Sequence, residues 1–316
     1  MELADRPMST GTQLRLAAFL SIFAVIALWE IVASRRPLLV SKKERWFNNL
    51  GIILIDSLVL RILLQAGAVG IAMKAAEAKW GLFNYLSLPE TISVVLAVLI
   101  LDMVIYLQHL MFHATPILWR LHMVHHADMD LDLTTGLRFH PIEIIISMLI
   151  KMTVIAALGP PVSAVVIFEI LLNGTAMFNH GNIRLPSALN RFLRWVVVTP
   201  DMHRVHHSVT IRETNSNFGF NLPWWDRLFG TYRDQPVAGH ETMKLGLSQF
   251  RNSRNLILGR LLLLPFTGEP GHYSLKHIGG NPEKLRKRQS RIRTSNRNDI
   301  PASGSNLPDG VKTEEE

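Results

Sequence analysis

The 316-residue chain is 48% hydrophobic and only 18% charged, with a positive mean hydropathy, a balance too apolar for an average soluble domain and expected of a membrane protein. It contains no cysteine, which excludes disulfides, thiolate-ligated haem and cysteine-bound clusters; any metal must be held by nitrogen and oxygen, with 13 histidines as the main supply. The net charge of +8 gathers beside apolar segments and in the tail instead of alternating with exposed aromatics, which suits anionic lipid headgroups and argues against nucleic acid.

In chain order, Leu14 to Ala33 is long enough for one crossing, with only Arg15 and Glu30 near its ends, and reads as a retained anchor rather than a cleaved signal. Leu50 to Met73 is a second span containing Asp56 and Arg61, charges expected to face protein because a central arginine costs about 2.5–3.5 kcal/mol on insertion. Thr91 to His113 is a third, ending in polar residues that must line a site or leave the bilayer. Ile142 to Phe178 is broken at Gly159-Pro160-Pro161 and reads as a helical hairpin, crossing or re-entrant. From roughly Lys276 the chain is polar, with seven Lys/Arg between Lys284 and Arg297, a composition expected to be disordered.

Arg35, Arg36, Lys42, Lys43 and Arg45 crowd the linker after the first span, against Lys74 and Lys79 between the second and third. The positive-inside rule makes the first linker cytoplasmic. Counting spans from there places every histidine cluster at the cytoplasmic side. The expected division is membrane anchor helices over 1–90, a histidine-bearing catalytic membrane domain over 91–240, a peripheral segment over 241–275 and a basic tail over 276–316.

The chemistry lies in the histidines. His109 and His113 are spaced i,i+4 and project from one helical face. His122, His125 and His126 stand at i, i+3 and i+4, and His203, His206 and His207 repeat the pattern. On a helix each trio forms a compact patch of imidazoles, and clustered cations would repel one another unless kept neutral by coordination. His180, at the end of the hairpin beside Asn179 and near Asn182, returns to the depth of His109 and is a candidate ligand from a further element. His140 is a ligand, an outer partner or a structural contact. Asp102 and Asp201 are candidates to accept from ligand N–H groups, and Asn179 or Asn182 to complete a coordination sphere through water. Alternatively Asp102 pairs with Arg61, and Asp201 caps the helix of the last box.

The order His109-x-x-x-His113, His122-x-x-His125-His126, His203-x-x-His206-His207 resembles the fatty acid hydroxylase/sterol desaturase superfamily. Asp102 with Tyr106, Trp119-Arg120-Leu121-His122, Arg138-Phe139-His140-Pro141-Ile142-Glu143, and Asn217-Phe218-Gly219 running to Trp225-Asp226-Arg227-Leu228-Phe229-Gly230-Thr231-Tyr232 are similar to that family's stretches, so the resemblance covers about residues 95–235. One departure is Ala176, where acyl-chain hydroxylases of the superfamily often carry a histidine four positions before the one matching His180; His140, an asparagine or water is the alternative ligand. The resemblance implies an all-α fold, a polytopic integral membrane helical bundle with a cytosolic helical cap holding a histidine-bound di-metal centre. It also implies two iron ions, O2 as co-substrate, a lipid substrate, and electrons from a separate ferredoxin, cytochrome or reductase.

Hydroxylation is the expected reaction and desaturation the alternative, since both begin by removing hydrogen from an unactivated C–H bond. Rivals of another class are a histidine-lined metal transporter, which would spread its polar residues along a path through the bilayer, and an inactive scaffold. A retained anchor without organelle-type targeting signals points to a bacterial inner membrane, with the endoplasmic reticulum as alternative.

Overall fold

Apolar side chains dominate the surface of the long helices, and that exposure explains the architecture. Leu16, Leu20, Val25, Leu28 and Ile31 of the first helix all face outward, as a bilayer requires and water would not tolerate. The computed structural model describes residues 5–64 and 67–275, and the basic tail expected from Lys276 lies outside them.

The described residues are helical and contain no strand. The membrane-length helices are α1 (Asp5–Val32), α2 (Lys42–Leu63), followed by α3 (Gly67–Glu77) and α4 (Leu82–Leu86), then α5 (Glu90–Ala114). α6 (Pro116–His126) follows directly, and α7 (Pro141–Leu158) and α8 (Val162–His180) are joined by a short turn, with α3 packed on both. Short helices complete the chain: α9 (Ser187–Leu193), α10 (Pro200–His206), α11 (Ile211–Thr214), α12 (Trp224–Leu228), α13 (Gly239–Thr242) and α14 (Leu258–Thr267). Among the described residues five stretches are long and apolar enough to cross a membrane: Gly11–Val32, Lys42–Leu86, Glu90–Ala114, Pro141–Leu158 and Val162–His180. The chain is thus an all-helical, polytopic membrane bundle.

The second span departs from expectation. Leu50 to Met73 is not one rod: α2 stops at Leu63 and α3 restarts at Gly67, whose φ of +55° a side chain would disfavour. α3 then packs on α7 and α8. Asp56 faces protein as expected, but Arg61, in the last turn of α2, is exposed, where a long side chain can reach the polar boundary. The hairpin turn matches its sequence signal. Gly159 caps α7 in the left-handed region at φ +58° and lies so close to the Trp80 carbonyl that a Cβ would overlap it.

α8 is the central helix, packed by α1, α5 and α3. α14, from the segment expected to be peripheral, packs on α6 and α2. The Trp119 indole donates to the Pro270 carbonyl at 2.8 Å and stacks near Tyr273. α6 and the histidines it carries are therefore clamped from outside.

Candidate metal centre

Three of the helices that carry or orient the histidines begin with the same device. Thr115-Pro116 opens α6, His140-Pro141 opens α7 and Thr199-Pro200 opens α10, each with proline where no N–H is needed. Thr199 Oγ1 accepts from the Met202 amide, capping the seven-residue α10.

α5, α6, α8 and α10 bring nine histidines together in two buried groups: His109, His113, His122, His126 and His206 in one, His125, His180, His203 and His207 in the other, with ligating atoms within 4.8 Å inside each group. Each trio is shared between the groups. Adjacent residues on a helix diverge by about 100° while i and i+4 align, so His125 and His126 go to different groups, as do His206 and His207.

Hydrogen bonds set the tautomers. Nδ1 of His109 donates to the Phe218 carbonyl (2.8 Å), that of His125 to Arg138 (3.1 Å), that of His180 to Ala176 (2.7 Å) and that of His206 to Ser216 (2.8 Å). Nδ1 of His122 meets the Glu143 carboxylate at 2.6 Å and that of His113 meets Asn215 Oδ1 at 3.2 Å. Each of these rings therefore turns a bare Nε2 lone pair inward. The His125 and His180 Nε2 atoms then face each other at 3.1 Å with no proton between them, and the Nε2 atoms of His109, His122 and His206 have no partner. Facing lone pairs repel unless a cation lies between them, and roughly 3 Å is the separation of two nitrogens bound about 2.0–2.1 Å from one ion. Burial pushes the His122 imidazole down to about 3 and holds those of His125, His126, His203, His206 and His207 well below the usual range, with neighbouring histidines adding to the effect for these five. Neutral rings with converging lone pairs fit a metal site.

The other candidates do not join the groups. His140 caps α7, its Nδ1 accepting from the Ile142 amide and its Nε2 donating to the Leu262 carbonyl. Asp102 accepts from Trp225 Nε1 and the Asn221 and Leu222 amides, and pairs with neither a histidine nor Arg61. With Asp226, which accepts from the Phe218 and Gly219 amides, it braces the loop whose carbonyl orients His109. Asp201 bonds Arg204, Arg35 and Asn190, and the cap of α10 is Thr199, not Asp201. Asn179 donates to the Phe220 carbonyl and Asn182 ties the α1–α2 linker at Arg36.

Sequence reasoning missed Glu143 and Asn215, the orienting partners of His122 and His113. Glu143 carried a signal, a carboxylate in the first turn of the helix opened by Arg138-Phe139-His140-Pro141; Asn215 carried none. Replacing Glu143 with leucine is expected to weaken metal retention about 10- to 100-fold, read by chelator competition on purified protein.

A second missed feature is the buried cluster that supports His125. Arg45 on α2 donates to both Asp128 oxygens at 2.9 Å, to Asp132 at 2.5 Å and to Thr135. Burial alone would raise the Asp128 carboxyl, but Arg45 and Arg138 hold it well below the usual carboxylate range. Gly136 in this loop lies against the Ala176 carbonyl, the acceptor for His180, leaving no room for a Cβ.

A cavity of about 490 Å³ reaches His109 and His122 between α1, α2, α5, α7 and α8. Near the histidines its walls combine Phe112, Phe139 and Phe220 with the polar Gln108 and Glu143.

Fold and site together define a helical integral membrane protein with two adjoining all-histidine groups compatible with metal. The fatty acid hydroxylase family model matches residues 94–231, the stretch that contains all nine histidines, and this match, with the relatives below, supports placing the chain in the fatty acid hydroxylase superfamily. It is similar to ornithine lipid hydroxylase OlsE of Rhizobium tropici, 27% identical over 69% of this chain and 66% of that protein. It is also similar to the alkylglycerol monooxygenases of Xenopus tropicalis (31% identical over 40% of this chain and 27% of that protein) and Homo sapiens (28% over 45% and 30%). The matches thus span less than two thirds of each relative's own length. No solved structure matches the chain.

Proposed function

We propose that the chain is an O2-dependent di-iron hydroxylase of a membrane lipid, its metals held by the nine histidines of the two groups. The observation that carries this reading is the pairing of two buried all-histidine groups with a cavity that reaches His109 and His122, where Phe112, Phe139 and Phe220 line it. Two iron ions there would supply O2 reduction and the oxidising power to take hydrogen from an unactivated C–H bond. The chain's own part is positioning: Phe112, Phe139 and Phe220 guide an apolar segment to the histidines and exclude water, while Glu143 and the Phe218 carbonyl fix the rings of His122 and His109. The names of the relatives, lipid hydroxylase and monooxygenase, favour oxygen insertion over desaturation. Electrons are proposed to come from a separate donor, and the histidine groups to face the cytoplasm of a bacterial inner membrane. Residues 91–240 are proposed as the catalytic domain on the anchor of 1–90.

Expression of the full chain in a bacterial host, with lipid extracts compared by mass spectrometry, tests this. A lipid heavier by one oxygen should accumulate with the wild type and be absent with His122→Ala/His206→Ala. A lipid lighter by two hydrogens would replace the reading with desaturation, and unchanged lipids in hosts supplying ornithine lipids, ether lipids and common acyl lipids would overturn it.

A further inference from the structure

Arg15, Lys151 and Glu169, which bond no histidine, meet inside the spans. Lys151 Nζ of α7 bonds Glu169 Oε1 of α8 at 3.0 Å, and Arg15 of α1 bonds the other Glu169 oxygen. Two cations thus share one carboxylate, leaving one positive charge uncompensated at membrane depth, where charged groups are costly and rarely without a role. Lys151 and Glu169 are buried, and the Arg15 side chain, 32% exposed, reaches the outer surface. All three line the same cavity as His109 and His122.

We propose that Arg15 and Lys151, steadied by Glu169, bind the acidic end of the lipid substrate while its apolar part extends to the histidines; this rests on the lipid-hydroxylase reading. Along α8, Glu169 is eleven residues from His180, and along α7 Lys151 is eight from Glu143, distances of about 16 Å and 12 Å at the helical rise. That interval suits about ten methylene groups at ordinary carbon–carbon lengths. The substrate class is therefore a lipid with a carboxylate or phosphate about ten carbons from the carbon oxidised. Asp56 also lines the cavity; it bonds none of the three, and its Oδ1 has no partner. It would draw a cationic head group instead, so the two charge types give opposite outcomes.

The test uses detergent-purified full-length protein and four single-chain probes of equal length: dodecanoate, dodecyl phosphate, dodecanol and dodecylammonium. Binding is read by native mass spectrometry, with thermal unfolding to confirm folded protein. At least one acidic probe should bind about tenfold or more tighter than dodecanol, the scale of a charge-assisted hydrogen bond, and which one wins identifies carboxylate or phosphate. The preference should collapse in Lys151→Met and Arg15→Gln and persist in Lys151→Arg. Equal binding of all probes, preference for dodecylammonium, or an acidic preference surviving both substitutions would overturn the proposal. Should neither variant fold, the wild-type ranking alone decides it. Selective binding without any oxidised lipid in cells keeps this site and removes the hydroxylase reading; oxidised lipid without head-group selectivity does the reverse.

Discussion

Full-length protein from iron-supplemented cells is expected to carry about two metal ions per chain by plasma mass spectrometry, one for each imidazole group. The groups differ in redundancy. His122→Ala/His206→Ala reduces the five-histidine group to three ligands, and His203→Ala/His207→Ala reduces the four-histidine group to two. Each double substitution should therefore bring the content to about one ion, with the four-histidine group the more sensitive. The wild type holding fewer than two ions, or both variants retaining two, would remove the two-site assignment. Because each trio serves both groups, a backbone shift at α6 or α10 disturbs both, and single substitutions should lower the second ion's retention as well as the first.

The second large effect is expected at Arg45. Its guanidinium, 3% exposed, is the main counter-charge for Asp128 and Asp132, each 1% exposed. Arg45→Met would leave buried Asp132 without its cation and Asp128 with only Arg138 at 3.7 Å, at a cost of about 3–5 kcal/mol, measured by denaturant unfolding in detergent. Lys42→Met, which removes a one-third exposed partner of Glu30, should cost about 1 kcal/mol or less. Similar losses in the two would show the Arg45 cluster to be ordinary surface pairing. Arg45 also holds the loop that runs from His126 to the Arg138 carbonyl orienting His125, so its loss should release metal from the four-histidine group first.

The histidines were legible because i,i+4 spacing survives folding: each helix keeps the face that its sequence defines. Their orienting partners were not, since Asn215 meets His113 across 102 positions and Glu143 meets His122 across 21. Asp102 and Asp201 misled for a common reason: a carboxylate near a histidine box in sequence need not face it, and both are taken up by arginine, tryptophan or backbone donors. The aspartates at 128, 130 and 132 alternate, a spacing that turns side chains of extended chain to one side, yet the arginine that bonds Asp128 and Asp132 lies over 80 residues upstream, and Asp130 accepts from the Leu39 and Val40 amides. The break between α2 and α3 carried no proline, and only the left-handed Gly67 marks it. Lys151 and Glu169 sat in arms read as apolar, where hydropathy averaging hides a single charge.

The sharing of the trios has a consequence for synthesis. Four of the five histidines in the first group lie between His109 and His126, so that group is one ligand short as soon as α6 has formed. The second has only His125 by then and waits for α8 and α10. Ribosomal order therefore gives the two groups different histories, one nucleating early in a short stretch of chain and the other closing only when residue 207 has emerged.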